Sequence, residues 1–135
     1  MTGLNPYLVF QGRCKEAFGF YAKALNGEIV FTQTGGESGM DVPDEQKDLI
    51  MHITLNFDGN TIMGSDDFLS NAKLGTNVHL SIATDDVNKG SKFFKNLSKD
   101  GKVDMPMEKQ NWGSTFGMLT DKYGIKWMVN VDEKS

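Results

Sequence analysis

The sequence predicts an α+β fold of two βαβββ modules, and three observations carry that reading. Short β-prone segments dominate the chain, and only two stretches place apolar residues at helical spacing. The order strand, helix, strand, strand, strand runs through residues 4–67 and returns in residues 77–131, with residues 68–76 as a linker. Residues 48–56 and 77–84 alternate with period two, as half-buried strands do. A four-stranded sheet with a helix on one face must cover its other face or leave it wet. Two such modules side by side are expected to form a curved mixed sheet, a half-open barrel around a concave cleft. Too few helices and too many consecutive strands argue against a doubly wound parallel sheet.

The elements follow in order. Pro6-Tyr7-Leu8-Val9-Phe10 is short, apolar and β-prone, so it reads as a strand. Cys14, Ala17, Phe18, Tyr21 and Leu25 share one helical face, and Asn26-Gly27 supplies the stop. Residues 28–34 read as a second strand and residues 35–47, rich in Gly, Asp and Glu, as a solvated loop. In residues 48–56, Leu49, Met51, Ile53 and Leu55 point one way, and Ile50, His52, Thr54 and Asn56 the other. Asp58-Gly59-Asn60 signals a hairpin into a strand over residues 60–65. Residues 66–76 read as a linker with one helical turn.

The second module opens with a strand over residues 77–84, where Val78, Leu80 and Ile82 oppose His79, Ser81 and Ala83. Asp85-Asp86 can cap a helix whose looser stripe is Val87, Gly90, Phe94 and Leu97. Asp100-Gly101 ends it, as Asn26-Gly27 ended the first. A short strand at residues 102–105 leads into a polar loop through Trp112-Gly113. Strands over residues 115–120 and 125–131 flank the turn Asp121-Lys122-Tyr123-Gly124.

Composition narrows the function. The chain has 135 residues, 14 basic against 18 acidic, for a net charge of −4, so it carries no basic footprint for nucleic acid. A hydrophobic fraction of 39% supports a folded domain, residues 1–135 being read as one. One cysteine permits no internal disulfide and no Cys-rich zinc site. A metal site would have to use His52, His79 and carboxylates. No basic region followed by an apolar stretch opens the chain, and no stretch approaches the roughly 20 apolar residues of a membrane span. A cytoplasmic protein without membrane contact is the expectation.

The segments Leu4-Asn5-Pro6-Tyr7-Leu8-Val9-Phe10, Met51-His52-Ile53, Thr61-Ile62-Met63-Gly64-Ser65-Asp66, Met105-Pro106-Met107, Phe116-Gly117 and Asp121-Lys122-Tyr123-Gly124-Ile125-Lys126-Trp127-Met128-Val129-Asn130 strongly resemble PhnB-like proteins. These belong to the vicinal oxygen chelate superfamily, with glyoxalase I, bleomycin-resistance proteins and extradiol dioxygenases, and are also labelled 3-demethylubiquinone-9 3-methyltransferase-like. The resemblance covers roughly residues 4–131. It implies paired βαβββ modules, a homodimer, and a cleft on the concave sheet face. It also implies metal ligands on the first and last strand of each module. Matched by strand and turn, those places hold Asn5, Met63, His79 and Met128, and of these only His79 is a good ligand. Thioethers suit soft metals rather than ions that activate water or an enediolate. Metal catalysis of the family type is therefore expected to be absent. The methyltransferase label implies S-adenosylmethionine binding, which no glycine-rich strand-to-helix loop supports.

Period two adds further residues to the cleft face: Tyr7 and Val9, Thr61 and Ser65, Ser81 and Ala83, Lys126 and Asn130. Leu8, Phe10, Ile62, Leu80, Ile82, Trp127 and Val129 face the helices. His52 reads either as a hydrogen-bonded histidine or as a general base. His79 reads as a bland histidine or as a ligand or proton carrier. The methionines read as space-fillers or as the floor of an apolar site. Trp112, just before Phe116, reads as a lid aromatic or a rim contact. Cys14 could be activated by its helix N-terminus, but the apolar stripe favours a buried, inert thiol. Lys89, Lys92, Lys95 and Lys99 read as a solvated helix face.

The leading expectation is a small-molecule-binding protein taking a partly apolar ligand through Tyr7, His52, Met63, His79, Trp112, Phe116, Met128 and Asn130, without the usual metal. The alternatives are a metal-dependent glyoxalase- or dioxygenase-like enzyme using His79 and His52, and a partner-binding dimer module with a vestigial cleft.

Overall fold

The computed structural model describes residues 2–69 and 72–133. The chain divides into two compact units, Met1–Lys73 and Leu74–Ser135. Ser70 and Asn71, within the expected linker and its helical turn, lie outside the described residues. The linker residues on either side of them form bends and irregular chain. Among the described residues no helix is long and apolar enough to cross a membrane.

The first unit runs β1 (Tyr7–Phe10), α1 (Cys14–Ala24), β2 (Glu28–Thr34), β3 (Ile50–Phe57) and β4 (Asn60–Asp66). Its sheet has the order β1-β4-β3-β2, with β1 parallel to β4 and the other pairs antiparallel. Helix α1 covers one face. Cys14, Ala17, Phe18, Tyr21 and Leu25, the stripe read from sequence, are all buried, against Phe10, Ile53, Leu55 and Ile62. Each large apolar side chain so buried contributes about 1.5–3 kcal/mol. The N-terminus of α1 has no local side-chain cap; instead Asp66, at the end of β4, accepts the Cys14 N–H at 3.0 Å. Its other oxygen accepts the Ile50 N–H at 2.9 Å, so one buried carboxylate ties the helix to two strands.

The second unit repeats the plan: β5 (Leu80–Thr84), α2 (Val87–Leu97), β6 (Lys102–Lys109), β7 (Thr115–Thr120) and β8 (Lys126–Val131), ordered β5-β8-β7-β6. Phe93, Phe94 and Leu97 of α2 pack with Ile82, Leu119, Trp127, Val129 and Val131 in its core. Asp86 caps α2 by accepting the Asn88 and Lys89 N–H groups. Asp121 closes the β7–β8 turn by accepting from the Tyr123 and Ile125 N–H groups and, at 2.8 Å, from the Trp127 indole.

Several expectations need correction. On β3 the alternation changes phase: Ile50 is buried beside Ile53 and Leu55, while Met51 is half-buried. The pairing shows why. Gln33 faces His52 and Thr34 faces Ile50, so Met51 is an extra residue in a bulge, and a bulge reverses the faces. The last strand of the second unit starts at Lys126 and the first at Leu80, so His79 precedes its strand. Strand β6 runs on to Lys109, where a loop was expected. It is an edge strand, which tolerates Pro106, and register shifts hide its period. On α2, Phe93 is buried and Val87 is not fully so. At both helix ends the left-handed residue is not the glycine but Asn26 (φ 53°) or Asp100 (φ 59°). Gly27 and Gly101 serve close approach instead: a Cβ there would lie 2.7 Å from the Asn56 carbonyl oxygen or 2.3 Å from that of Thr120.

Candidate functional site

Each sheet has one face without a helix, and strand register decides what lies on it. In the first unit a row crosses all four strands: Tyr7 faces Met63, Met63 faces Thr54, and Thr54 faces Phe31. The neighbouring pairs are Val9 with Ser65 and Gln33 with His52. His52 is held from two sides. Its Nδ1 lies 3.4 Å from the Tyr7 hydroxyl and its Nε2 3.0 Å from Thr54 Oγ1. The rings of Tyr7 and Phe31 flank it, with centroids at 5.7 and 5.9 Å. Tyr7 and Phe31 are nearly half exposed, at 45% and 49%, so the aromatic cluster is open to a ligand.

In the second unit the corresponding row is Ser81, Met128, Met118 and Met105, three adjacent thioethers on three strands. Beside it run Ala83, Asn130, Phe116 and Glu108. The exposed ring of Trp112 meets Phe116 edge-to-face at 6.0 Å. On the other side Lys126 faces Thr120. There Lys126 Nζ donates to Thr120 Oγ1 at 2.8 Å, and that hydroxyl donates to Asp104 at 2.7 Å. This hydrogen bond, with Lys126 and Lys102 nearby, holds the Asp104 carboxyl below its ordinary range. The Nδ1 of His79 is enclosed and has no hydrogen-bond partner among the described residues. Cys14 is fully buried, and burial, with the Asp66 charge beside it, pushes its thiol up to about 12, away from reactivity.

Register also fixes the internal equivalence of the modules. Tyr7 faces Met63 as Ser81 faces Met128, in parallel pairings of the same kind. Two residues earlier, Asn5 and His79 therefore hold equivalent places. The four positions the resemblance assigns to a metal carry an amide, an imidazole and two thioethers. Among the described residues, no group of three or more His, Cys, Asp or Glu side chains comes together as a metal cluster. That donor set does not fit a hard or borderline divalent ion.

Of the residues expected on the cleft face, Tyr7 pairs with Met63 and contacts His52 in the first unit, and in the second Phe116 pairs with Asn130, next to the Met118–Met128 pair, and meets the ring of Trp112. Asn5 is exposed ahead of β1. Phe31, Met105, Met118, Thr120 and Asp104 were missed, and Thr54 was read on the side of His52 but not as its hydrogen-bond partner. Period two along β7 could have found Met118 and Thr120 from Phe116. Phe31 was hidden by the bulge at Val30, and Met105, inside the strand expected at residues 102–105, by the register shifts on either side of it.

Two sheets of this strand order, each backed by one helix, define a protein of the vicinal oxygen chelate fold. A glyoxylase/bleomycin resistance protein/dioxygenase domain from Frankia sp. EAN1pec shares it at TM-score 0.71 and 12% identity, over 98% of this chain and 99% of that one. Within that class the chain belongs to the PhnB-like family described as 3-demethylubiquinone-9 3-methyltransferase, whose model matches residues 2–130. It is 33% identical to protein YjdN of Escherichia coli, over 95% of this chain and 94% of that protein. Protein PA1353 from Pseudomonas aeruginosa superposes at TM-score 0.89 with 32% identity, covering 99% and 100% of the two chains. A putative 3-demethylubiquinone-9 3-methyltransferase, PhnB protein, from Bacillus cereus does so at 0.79 with 25% identity, covering 96% and 99%.

Proposed function

We propose that this chain binds a small, partly apolar molecule against the helix-free faces of its sheets, without the divalent metal its superfamily commonly uses. The observation that carries the reading is the lining of those faces. Half-open rings of Tyr7, His52 and Phe31 in one unit and the Met105–Met118–Met128 row in the other are polarisable surface with a few polar groups, as small-molecule sites need. The methyltransferase description finds no comparable support. The strand-to-helix connections are Gln11-Gly12-Arg13 and Asp85-Asp86, with one glycine between them. Both helix N-termini already bind the chain's own carboxylates, Asp66 and Asp86, where a cofactor's anionic group would sit.

A second reading, a metal-dependent enzyme using His79 with His52, draws on the unpartnered Nδ1 of His79. We also read the chain as a homodimer, since the edge strand β2 exposes Ile29, Val30 and Phe31 in succession. The test is titration of the full chain with the fluorescent apolar probe N-phenyl-1-naphthylamine, with and without EDTA. We expect saturable binding that EDTA leaves unchanged and that Phe31→Ser on the first face and Met118→Ser on the second each weaken. Absence of saturable binding, or binding abolished by EDTA, would overturn the reading.

A further inference from the structure

We propose that the helix-free face of the second sheet takes an amphiphilic carboxylate, with its acid group at Lys126 and its apolar body over Met128 and Met118. This rests on the reading above and names the ligand class for one face. Along β8 that face presents Lys126, Met128 and Asn130; along β7, paired with them in register, it presents Thr120, Met118 and Phe116. Same-face residues on a strand lie roughly 6.7 Å apart, so the three rows span about 13 Å from cationic end to aromatic end. That gradient, from ammonium through thioether to ring, matches a molecule with one charged end and an apolar body.

The charge arithmetic selects the head group. At this end Lys126 Nζ and Lys102 Nζ stand 3.7 and 3.8 Å from the two oxygens of Asp104, so two cations share one anion and one positive charge remains, while Glu108, paired with Phe116, lies at the opposite end of the face. A monoanion balances that excess, and a phosphate dianion would exceed it. An ammonium has three donors, and Thr120 takes one of those on Lys126. Asp104 meanwhile already accepts the Thr120 hydroxyl. The Lys126 side chain is only 21% exposed, so water screens its charge less than that of an ordinary surface lysine. The same end of the sheet carries His79, whose Nδ1 has no hydrogen-bond partner among the described residues; it precedes Leu80 as Lys126 precedes Trp127, the two residues that face each other across β5 and β8.

The experiment is displacement of N-phenyl-1-naphthylamine from the full chain by octanoate, 1-octanol and octyltrimethylammonium at pH 7.5. Octanoate is expected to displace the probe at a tenfold or more lower concentration than 1-octanol, and the cationic amphiphile to be the weakest. Lys126→Met should bring octanoate to the level of 1-octanol while Lys126→Arg retains most of the advantage. Lys102→Met, at an exposed side chain safe for folding, should reduce the advantage two- to threefold. Equal displacement by octanoate and octanol in the unaltered chain, or an advantage that survives both methionine variants, would overturn the proposal and leave the apolar-binding reading standing. If the probe binds and no eight-carbon compound displaces it, the proposal falls. If the probe itself does not bind, both fall together.

Discussion

Cys14 shows how one residue's surroundings override its position. A thiol at the first turn of a helix gains from the helix dipole, which favours the thiolate. Here burial comes first, and the Asp66 carboxylate that accepts the Cys14 N–H adds a negative charge beside the sulfur. Both favour the neutral form, and the thiol rises from 9.0 to about 12. In the unfolded chain the proton leaves near 9, whereas in the folded chain it stays until about 12. This contribution to stability is therefore complete below pH 9 and is lost as pH rises from 9 to 12. Iodoacetamide at pH 8 is expected to leave the folded protein unmodified and to label it promptly in urea. Labelling of the folded chain at the rate of a free thiol would contradict the assignment. The apolar stripe alone made this burial legible, but the contact with Asp66, 52 residues away, had no local signature.

At the scale of elements, the two helix ends give a sharper test. A glycine after the last helical turn is normally there to adopt the left-handed conformation. In both modules that conformation belongs to the preceding Asn26 or Asp100, and the glycine lies against a strand carbonyl. Asn26→Gly should therefore be neutral or stabilising by up to about 1 kcal/mol, since glycine adopts positive φ without penalty. Gly27→Ala should cost about 1–3 kcal/mol through overpacking against Asn56, and Gly101→Ala more, because its added carbon would lie closer to backbone. Urea midpoints at constant slope would read this order, and a destabilising Asn26→Gly beside a silent Gly27→Ala would reverse the argument. Dipeptides of this kind, the apolar stripes and the hairpin signal carried most of the element order in the sequence. What they did not carry were bulges. The extra residues at Val30 and Met51 shift the faces of β2 and β3, and pairing irregularities along β6 disguised its second half as a loop. A bulge is a property of two strands together, so single-strand periodicity cannot reveal it.

Across the whole chain, the same topology and register appear twice with different side chains on the open faces. The first unit carries rings and hydroxyls around His52; the second carries thioethers between a lysine end and an aromatic end. The equivalence of Met63 and Met128 in the two modules was legible because the strand-and-turn match needs only counting, and register extends it to Asn5 and His79. Of the partners of His52, Phe31 was not, because it comes beside the ring only through a bulged pairing. Metal affinity follows from this difference in donors. A borderline ion such as zinc is held by imidazole, thiolate and carboxylate, whereas a neutral amide and two thioethers leave a site with one strong ligand. A single histidine holds a divalent ion too weakly to survive purification. Protein prepared without a histidine tag should contain less than about one tenth of an equivalent of zinc, nickel, manganese or iron by elemental analysis, and His79→Ala should not change that figure. One equivalent of any of these metals, lost on His79→Ala, would show that carboxylates outside the four matched positions complete a site, and would restore the enzymatic reading.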